Sequence, residues 1–362
     1  VRLAFDEQIF AIQEYGGISR LFAELAKQYV AHPEFGVDLE PLRAPIVNRY
    51  VLESPATMRA LEVQEASNSY KALARYFTRR RPDVKVDIIH NTFYLPHGLA
   101  GYPGAKRVVT IHDMIPERMP KTRRRLDLIT RKHRYVELAD HVICVSAATR
   151  DDLLETYGEV KAPITVVHHG VDPAFTPGAA RWSDLPEKYM LFVGNRSQYK
   201  DADVLFRAFA RISTKHPDFI LLFIGGGTFT RAEEQLIKEL GIGGRVQQRT
   251  LPDAEMTAAY CNAEICVFPS RFEGFGLPAL ESMACGTPTV LAAATSLPEV
   301  GGDAARYFTP GDVNELAAVI SEVLADPGEQ DRLSRLGITR AAQFSWERSA
   351  KETAAVYESL LG

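Results

Sequence analysis

The sequence has only four cysteines and two tryptophans in 362 residues. Cys144, Cys261, Cys266 and Cys285 form no CxxC pair and keep no regular spacing. That excludes a disulfide scaffold and a cysteine-built zinc site, and reads as buried free thiols in a reducing cytoplasm. Long hydrophobic runs are missing as well. The longest, Tyr189–Val193 and Phe219–Ile224, are strand-sized, far short of the ~20 residues that cross a bilayer. The chain opens Val-Arg-Leu-Ala-Phe, with no basic segment leading into an apolar stretch, so no secretory leader is expected. Compositional bias is absent too: 46% hydrophobic and 24% charged residues exclude collagen and disorder. A chain of this length carries about two domains and can bury a core without staples.

The net charge of −4 is unevenly spread. Residues 1–172 hold 24 Lys/Arg and 22 Asp/Glu, and the remainder 18 and 24. Residues 71–134 alone hold 16 basic and 5 acidic side chains, concentrated in Arg79-Arg80-Arg81 and in KTRRRLDLITRKHR from Lys121 to Arg134. This stretch reads either as a surface that attracts polyanions (lipid head groups, pyrophosphate or nucleic acid) or as a solvated helix face with no partner.

Short apolar runs alternate with amphipathic segments throughout. Strands are expected at Leu3–Phe5, Ile88–Ile89, Arg107–Ile111, Val142–Val145 and Ile164–Val167 in the first half. In the second half they are expected at Met190–Val193, Ile220–Ile224, Val246–Gln248, Ile265–Phe268 and Thr289–Leu291. Such alternation implies an α/β class with parallel sheets covered on both faces. Gly and Pro punctuate 168–178, HHGVDPAFTPG, which marks a hinge. Two doubly wound, Rossmann-like domains facing each other across a cleft are expected, with ligands at the carboxyl ends of strands.

The densest segment is PSRFEGFGLPALESMACG, Pro269–Gly286. Pro278 suits a first helical turn and Gly286 the residue just past a helix end. A short helix over Pro278–Cys285 is therefore expected, its amino end forming an anion site with Gly274 and Gly276. Glu273 and Glu281 beside an anion site make sense if carboxylates hold the hydroxyls of a sugar, as in dinucleotide folds. Upstream, Gly194-Asn195-Arg196-Ser197-Gln198-Tyr199-Lys200 follows a strand, so Arg196 and Lys200 read as phosphate cations or as solvated loop charges. Gly225-Gly226-Gly227 is a turn that could approach a ligand closely.

These two segments together resemble family 4 of the retaining glycosyltransferases, which have the GT-B architecture. Glu273 and Glu281 within EGFGLPALE match the family's Glu-x7-Glu pattern, and Gly194, Arg196 and Lys200 its phosphate segment. Gly16-Gly17-Ile18-Ser19-Arg20 resembles the first glycine-rich loop, Thr110-Ile111-His112-Asp113 a strand-end His-Asp, and Phe344-Ser345-Trp346 the entry to the last helix. The resemblance implies an acceptor-side domain over 1–170, with a C-terminal helix at about 346–362 packing back on it, and a donor-binding domain over 171–345. It further implies that Arg196 and Lys200 hold the donor diphosphate, which Gly16 and Gly17 let the first domain approach. Glu281 would bind the ribose, and Glu273 with Gly274, Phe275, Gly276 and Leu277 the transferred sugar. The base would lie near Thr250-Leu251-Pro252. His112 would stabilise positive charge at the anomeric carbon.

Each piece also has a structural reading. His112 could be a satisfied core histidine oriented by Asp113. His168 and His169 read as structural, while His90 and Asn91 either face the acceptor or belong to the core. Asp201 and Asp203 spell a DxD, which elsewhere ligates a metal, but their place before Val204–Phe209 suits a first helical turn. No metal and no cofactor are expected; the nucleotide sugar is a substrate. The implied activity is retaining, metal-independent transfer of a hexose, best read as mannose from GDP-mannose, to a glycan or lipid-pyrophosphate-linked acceptor in bacterial polysaccharide or lipopolysaccharide synthesis. A UDP-sugar donor is the alternative. Rival readings are a phosphorylase or epimerase on the same plan and a non-catalytic binding protein. No nucleic-acid partner is implied. An anionic membrane surface contacted through residues 71–134 is, which would place the chain peripherally at the inner membrane face.

Overall fold

The computed structural model describes residues 1–42, 45–66, 84–96, 98–99, 101–119 and 123–362, with 123–125 and 253–254 as backbone. The chain divides into two compact units, Val1–Gly170 with Ser345–Gly362, and Val171–Phe344.

The first unit is built on six parallel strands: β1 (Arg2–Phe5), β2 (Asp38–Leu39), β3 (Ile88–Asn91), β4 (Lys106–Ile111), β5 (His141–Cys144) and β6 (Ile164–Val166), in the order β2-β1-β3-β4-β5-β6. β3 and β5 are buried along their whole length, which is why they read as short apolar runs without alternation. β2 was not anticipated, because a two-residue edge strand carries no periodic signal.

The carboxyl-terminal helix, Trp346–Ser359, belongs to this unit. Ser345 caps it by accepting from Arg348 N, and Trp346, Ala350, Ala354 and Tyr357 repeat at helical spacing on its buried face. Tyr29 donates to Ala350 O at 3.3 Å, and Tyr357 Oη lies 2.7 Å from His90 Nδ1. Gly170 seats the helix entry: a Cβ there would stand 2.1 Å from Trp346 N and 2.4 Å from the Ser345 carbonyl carbon.

His90 also bonds Thr110 Oγ1 through Nε2 at 2.7 Å and is fully buried. Asn91 donates to Asp6 and to Gly98 O, and accepts from Arg107. Both residues are core polar groups, which overturns the acceptor-facing reading for them. Burial pushes His90 down to about 3 and His169, beside Trp346, down to about 3 as well.

Part of the basic stretch is also internal. Lys132 is 1% exposed and bridges Glu117 at 2.8 Å and Asp113 O at 2.8 Å. Arg118 pairs with Asp152 and Glu155, and Arg107 with Asn91. These side chains are not available to an outside polyanion. Arg79-Arg80-Arg81 and Lys121 lie outside the described residues. Among the described residues, no helix is long and apolar enough to cross a membrane.

The second unit is a second six-stranded parallel sheet: β7 (Tyr189–Val193), β8 (Ile220–Ile224), β9 (Val246–Arg249), β10 (Ile265–Phe268), β11 (Thr289–Ala292) and β12 (Arg306–Phe308), ordered β12-β11-β10-β7-β8-β9. β12, unforeseen, is another short edge strand, pairing Val290 with Arg306. β7 is the first strand of the unit yet lies in mid-sheet between β10 and β8. The order of strands therefore reverses between β7 and β10, the switch point where open α/β sheets bind ligands. All four cysteines are free; Cys144, Cys266 and Cys285 are buried, whereas Cys261 is half-buried.

Two outcomes follow from this packing. Gly170→Ala should lower stability by about 2–4 kcal/mol, because backbone rather than a flexible side chain stands in the way; thermal and urea denaturation measure this. His90 and His169 stay neutral in the folded chain but take up protons near pH 6.5 once unfolded. Stability should therefore fall as pH drops below 6.5 and onward toward about 3, each ring contributing up to about 1.4 kcal/mol per pH unit. Imidazole NMR shifts of the two rings should stay neutral at pH 5; titration near 6.5 would contradict the burial argument.

Candidate active site

The loops that carry the expected site leave β7 and β10, the two strands that flank the switch point of the second sheet. Beyond β7, Gly194 turns the chain with φ 134° while its N–H donates to Ile224 O. A 3-10 turn, Gln198–Lys200, then leads through Asp201 into the Ala202–Ile212 helix. Beyond β10, Ser270–Gly276 runs into the Leu277–Ala284 helix, with Pro278 in its first turn, Gly276 at the N-cap in the left-handed region (φ 101°) and Gly286 just past its end (φ 76°). The expected helix is present, shifted by one residue.

These loops meet in an ion pair: Lys200 Nζ donates to Glu273 Oε1 at 2.6 Å, with side-chain exposures of 13% and 12%. Taking two charges this far from water is costly unless each satisfies the other, and a second pair holds them in place. Arg271 N donates to Tyr199 O at 2.7 Å, and Arg271 Nε donates to Asp201 Oδ2 at 2.6 Å. Asp201 adopts φ 52°, unusual for a residue other than glycine, and its side chain makes no cap bond. The expected capping role is thus replaced by a clasp between the two loops. Asp203 lies in the first turn of the helix, as expected.

The Glu273 backbone is fixed from β11's far end. Glu273 N donates to Thr295 Oγ1 at 2.9 Å, and Ser296 Oγ donates to the carbonyls of Glu273 (3.1 Å) and Phe275 (2.9 Å). Thr295 itself has φ 45°, the kind of local strain that persists where surrounding contacts over-determine it. Sequence reasoning overlooked Thr295 and Ser296; the available signal was a pair of hydroxyls just past a strand's carboxyl end. Phe275 is buried against Phe344, Leu277 begins the helix, and Gly274 sits in the loop between.

Glu281, one turn into the helix, is 8% exposed and accepts from Tyr260 Oη at 2.9 Å. Burial, reinforced by Glu281, pushes the Tyr260 hydroxyl well above its usual range, so it donates rather than ionises. Leu251 follows β9 and is half-buried against the unit's core.

Arg196 is engaged within its own unit. Its Nε pairs with Glu233 Oε1 at 2.8 Å, and its amino groups donate to the carbonyls of Gly225 (3.1 Å), Gly227 (2.9 Å) and Thr228 (2.8 Å). The side chain is 3% exposed, with its guanidinium 4.6 Å from the Phe229 ring centroid. A guanidinium has five N–H donors, and here four bonds hold it against Glu233 and the Gly225–Gly227 turn, whose three glycines all have positive φ.

In the first unit, Gly16 caps the Gly17–Ala31 helix; a Cβ there would meet the Gln13 side chain at 2.5 Å, the same side chain that accepts from Ser19 N at 2.9 Å. His112 ends β4, 7% exposed, edge-on to Phe22 (5.8 Å) and tilted against Tyr94 (6.2 Å). Neither of its ring nitrogens is hydrogen-bonded to a side chain among the described residues, and the Thr92 backbone lies beside the ring. Asp113 does not orient it: its Oδ1 accepts from Ile115 N. Burial, then the neighbouring His169 and His90, hold His112 well below the usual histidine range, so the ring is neutral. A neutral, buried imidazole just past a strand end, without a side-chain hydrogen bond among the described residues, contrasts with His90 on the adjacent strand, whose ring nitrogens are both bonded.

The family described as "Glycosyltransferase Family 4" matches residues 15–175, and "Glycosyl transferases group 1" matches residues 181–340. An MMP alpha-(1->4)-mannosyltransferase of Mycolicibacterium hassiacum is 33% identical over 80% of this chain and 74% of its own. O-antigen chain mannosyltransferase B of Escherichia coli is 28% identical over 95% and 96%. In fold, the chain is similar to Anabaena HepE, solved in complex with UDP, with a TM-score of 0.74 at 19% identity over 99% of both chains. The chain therefore belongs to family 4 of the glycosyltransferases and has their α/β GT-B fold.

Proposed function

We propose that this glycosyltransferase moves a hexose, mannose from GDP-mannose, to a hydroxyl of a glycan or lipid-pyrophosphate-linked acceptor with retention of anomeric configuration and without a metal. The observation that carries the reading is the Lys200–Glu273 pair, held at the switch point by the Asp201–Arg271 clasp. The two mannosyltransferase relatives support the choice of sugar.

In this reading Lys200 is the cation that neutralises the departing diphosphate, a point charge already aligned in a site that is partly dry. Glu273 takes hydroxyls of the transferred sugar, and Glu281 those of the ribose. The Gly274–Leu277 backbone lines the sugar, and the Leu251 loop takes the base. Gly16 and Gly17 admit the diphosphate. Arg196 acts one step back, by shaping the Gly225–Gly227 turn. His112 serves the anomeric carbon through its carbonyl and neutral ring. With both carboxylates on hydroxyls, no side chain is left as nucleophile. The leaving group departs and the acceptor attacks on one face of an oxocarbenium-like centre, with a diphosphate oxygen taking the acceptor proton. Catalysis is then alignment and electrostatic stabilisation. Anionic lipid contact through the remaining cations of 71–134 belongs to the same proposal.

A UDP-sugar donor is the second reading, favoured by the likeness to HepE, whose structure holds UDP.

Lys200→Ala should keep the fold by circular dichroism while kcat/KM falls by about 10²–10³-fold, the loss typical of one electrostatic contact to developing charge; near-normal turnover would refute the diphosphate role. Calorimetric titration with GDP, UDP and ADP should find GDP tightest. UDP binding more tightly than GDP would transfer the proposal to the second reading.

A further inference from the structure

The first unit carries an aromatic feature that the donor chemistry leaves unused. Tyr15 stands immediately before Gly16 and is 50% exposed, and it is the one aromatic side chain among the exposed large hydrophobic residues of the described chain. Its ring packs edge-to-face on Tyr50, centroids 5.5 Å apart at 84°, and the Arg20 guanidinium lies 5.4 Å from the Tyr50 ring centroid. The pair is rigidly mounted. Arg49 N donates to Glu14 O at 3.0 Å, and Arg49 Nε pairs with Glu14 Oε1 at 3.2 Å. Asn48 Oδ1 caps the Arg49–Leu52 turn by accepting from Val51 N at 3.0 Å. The Tyr15 hydroxyl reaches Glu53 Oε1 at 3.4 Å.

A single exposed tyrosine is ordinary. A braced aromatic pair ringed by carboxylates is a more specific arrangement, and its position decides what it is for. Tyr15 lies in the connection from β1 to the Gly17–Ala31 helix, after a short Gln8–Ile12 helix, and β1 lies between β2 and β3, so the strand order of the first sheet reverses at β1. That is the switch point of this sheet, the place where an open α/β sheet binds its own ligand. The chemistry of the rim then selects among ligands. Glu14, Glu53 and Glu65 are exposed around the pair, and Arg49 is already shared by Glu14 and Glu65. This rim sets three carboxylates against two cations, Arg49 and Arg20. It suits a neutral pyranose, whose apolar C–H face stacks on an aromatic ring while its hydroxyls donate to carboxylates.

We infer that Tyr15, braced by Tyr50 and flanked by Glu14 and Glu53, forms the subsite for the acceptor's terminal neutral sugar. The inference rests on the transferase reading above and adds where, and by what chemistry, the acceptor is held.

The test uses the full chain with methyl α-mannoside, methyl α-glucoside and methyl α-galactoside as probes, followed by saturation-transfer NMR. At least one pyranoside should show enhancement confined to one face of its ring. Tyr15→Ala should weaken that binding by about tenfold, the loss of roughly one aromatic contact, whereas Tyr15→Phe, which keeps the ring, should retain it. GDP or UDP affinity, measured by calorimetry on the same samples, should be unchanged in Tyr15→Ala. Pyranoside binding equal to wild type in Tyr15→Ala, or no enhancement with any of the three sugars in the wild-type chain, overturns the subsite. Loss of nucleotide binding in the wild-type chain would instead strike the donor reading, so the two failures are told apart.

Discussion

A lysine and a glutamate set 2.6 Å apart, both about seven-eighths out of water, impose a demand that much of the second unit meets. Neither charge could be buried alone, and their attraction repays desolvation only if the geometry is held. The two loops come from strands that are neighbours in space and distant in sequence. The Asp201–Arg271 bond and the Arg271–Tyr199 backbone bond close the gap between them. Thr295 and Ser296 fix the Glu273 backbone from a third strand, at the expense of a strained φ at Thr295. Arg196 and Glu233 fix the neighbouring glycine turn. The site's precision is therefore spread over residues that bear none of its chemistry.

The first unit handles buried polarity differently. Its interior holds a network around Asp6, whose carboxyl is raised by burial and opposed by bonds from Asn91, Thr92 and Gln8. His90 is part of the same economy, both ring nitrogens occupied. Against that background His112, with neither nitrogen bonded to a side chain among the described residues, stands out. Low dielectric makes an unmet polar group expensive.

Much of this was legible beforehand. The parallel class followed from strands without alternation, the short helix from Pro278 and Gly286, and the family from Glu273 and Glu281 at their fixed spacing. What misled was residue type taken as role. Arg196 has the chemistry of a phosphate ligand, and, three residues past a strand end, it also folds back onto the next loop. Lys132 counts toward a basic stretch by sequence and is a buried structural cation in space. Asp201 looked like a cap because acids favour first turns, yet its left-handed backbone turns the carboxylate to Arg271. The edge strands β2 and β12 were invisible, since two or three residues carry no period.

By itself the sequence determined the fold class and the family, because periodicity and motif spacing are local properties that survive without knowledge of contacts. Only the tertiary structure decided which charged side chains remain for chemistry. Pairing is settled between residues as far apart as Lys200 and Glu273, or Arg196 and Glu233, and it fixes where each charge is held. The physical reason is the cost of an unpaired buried charge, which the fold must settle residue by residue.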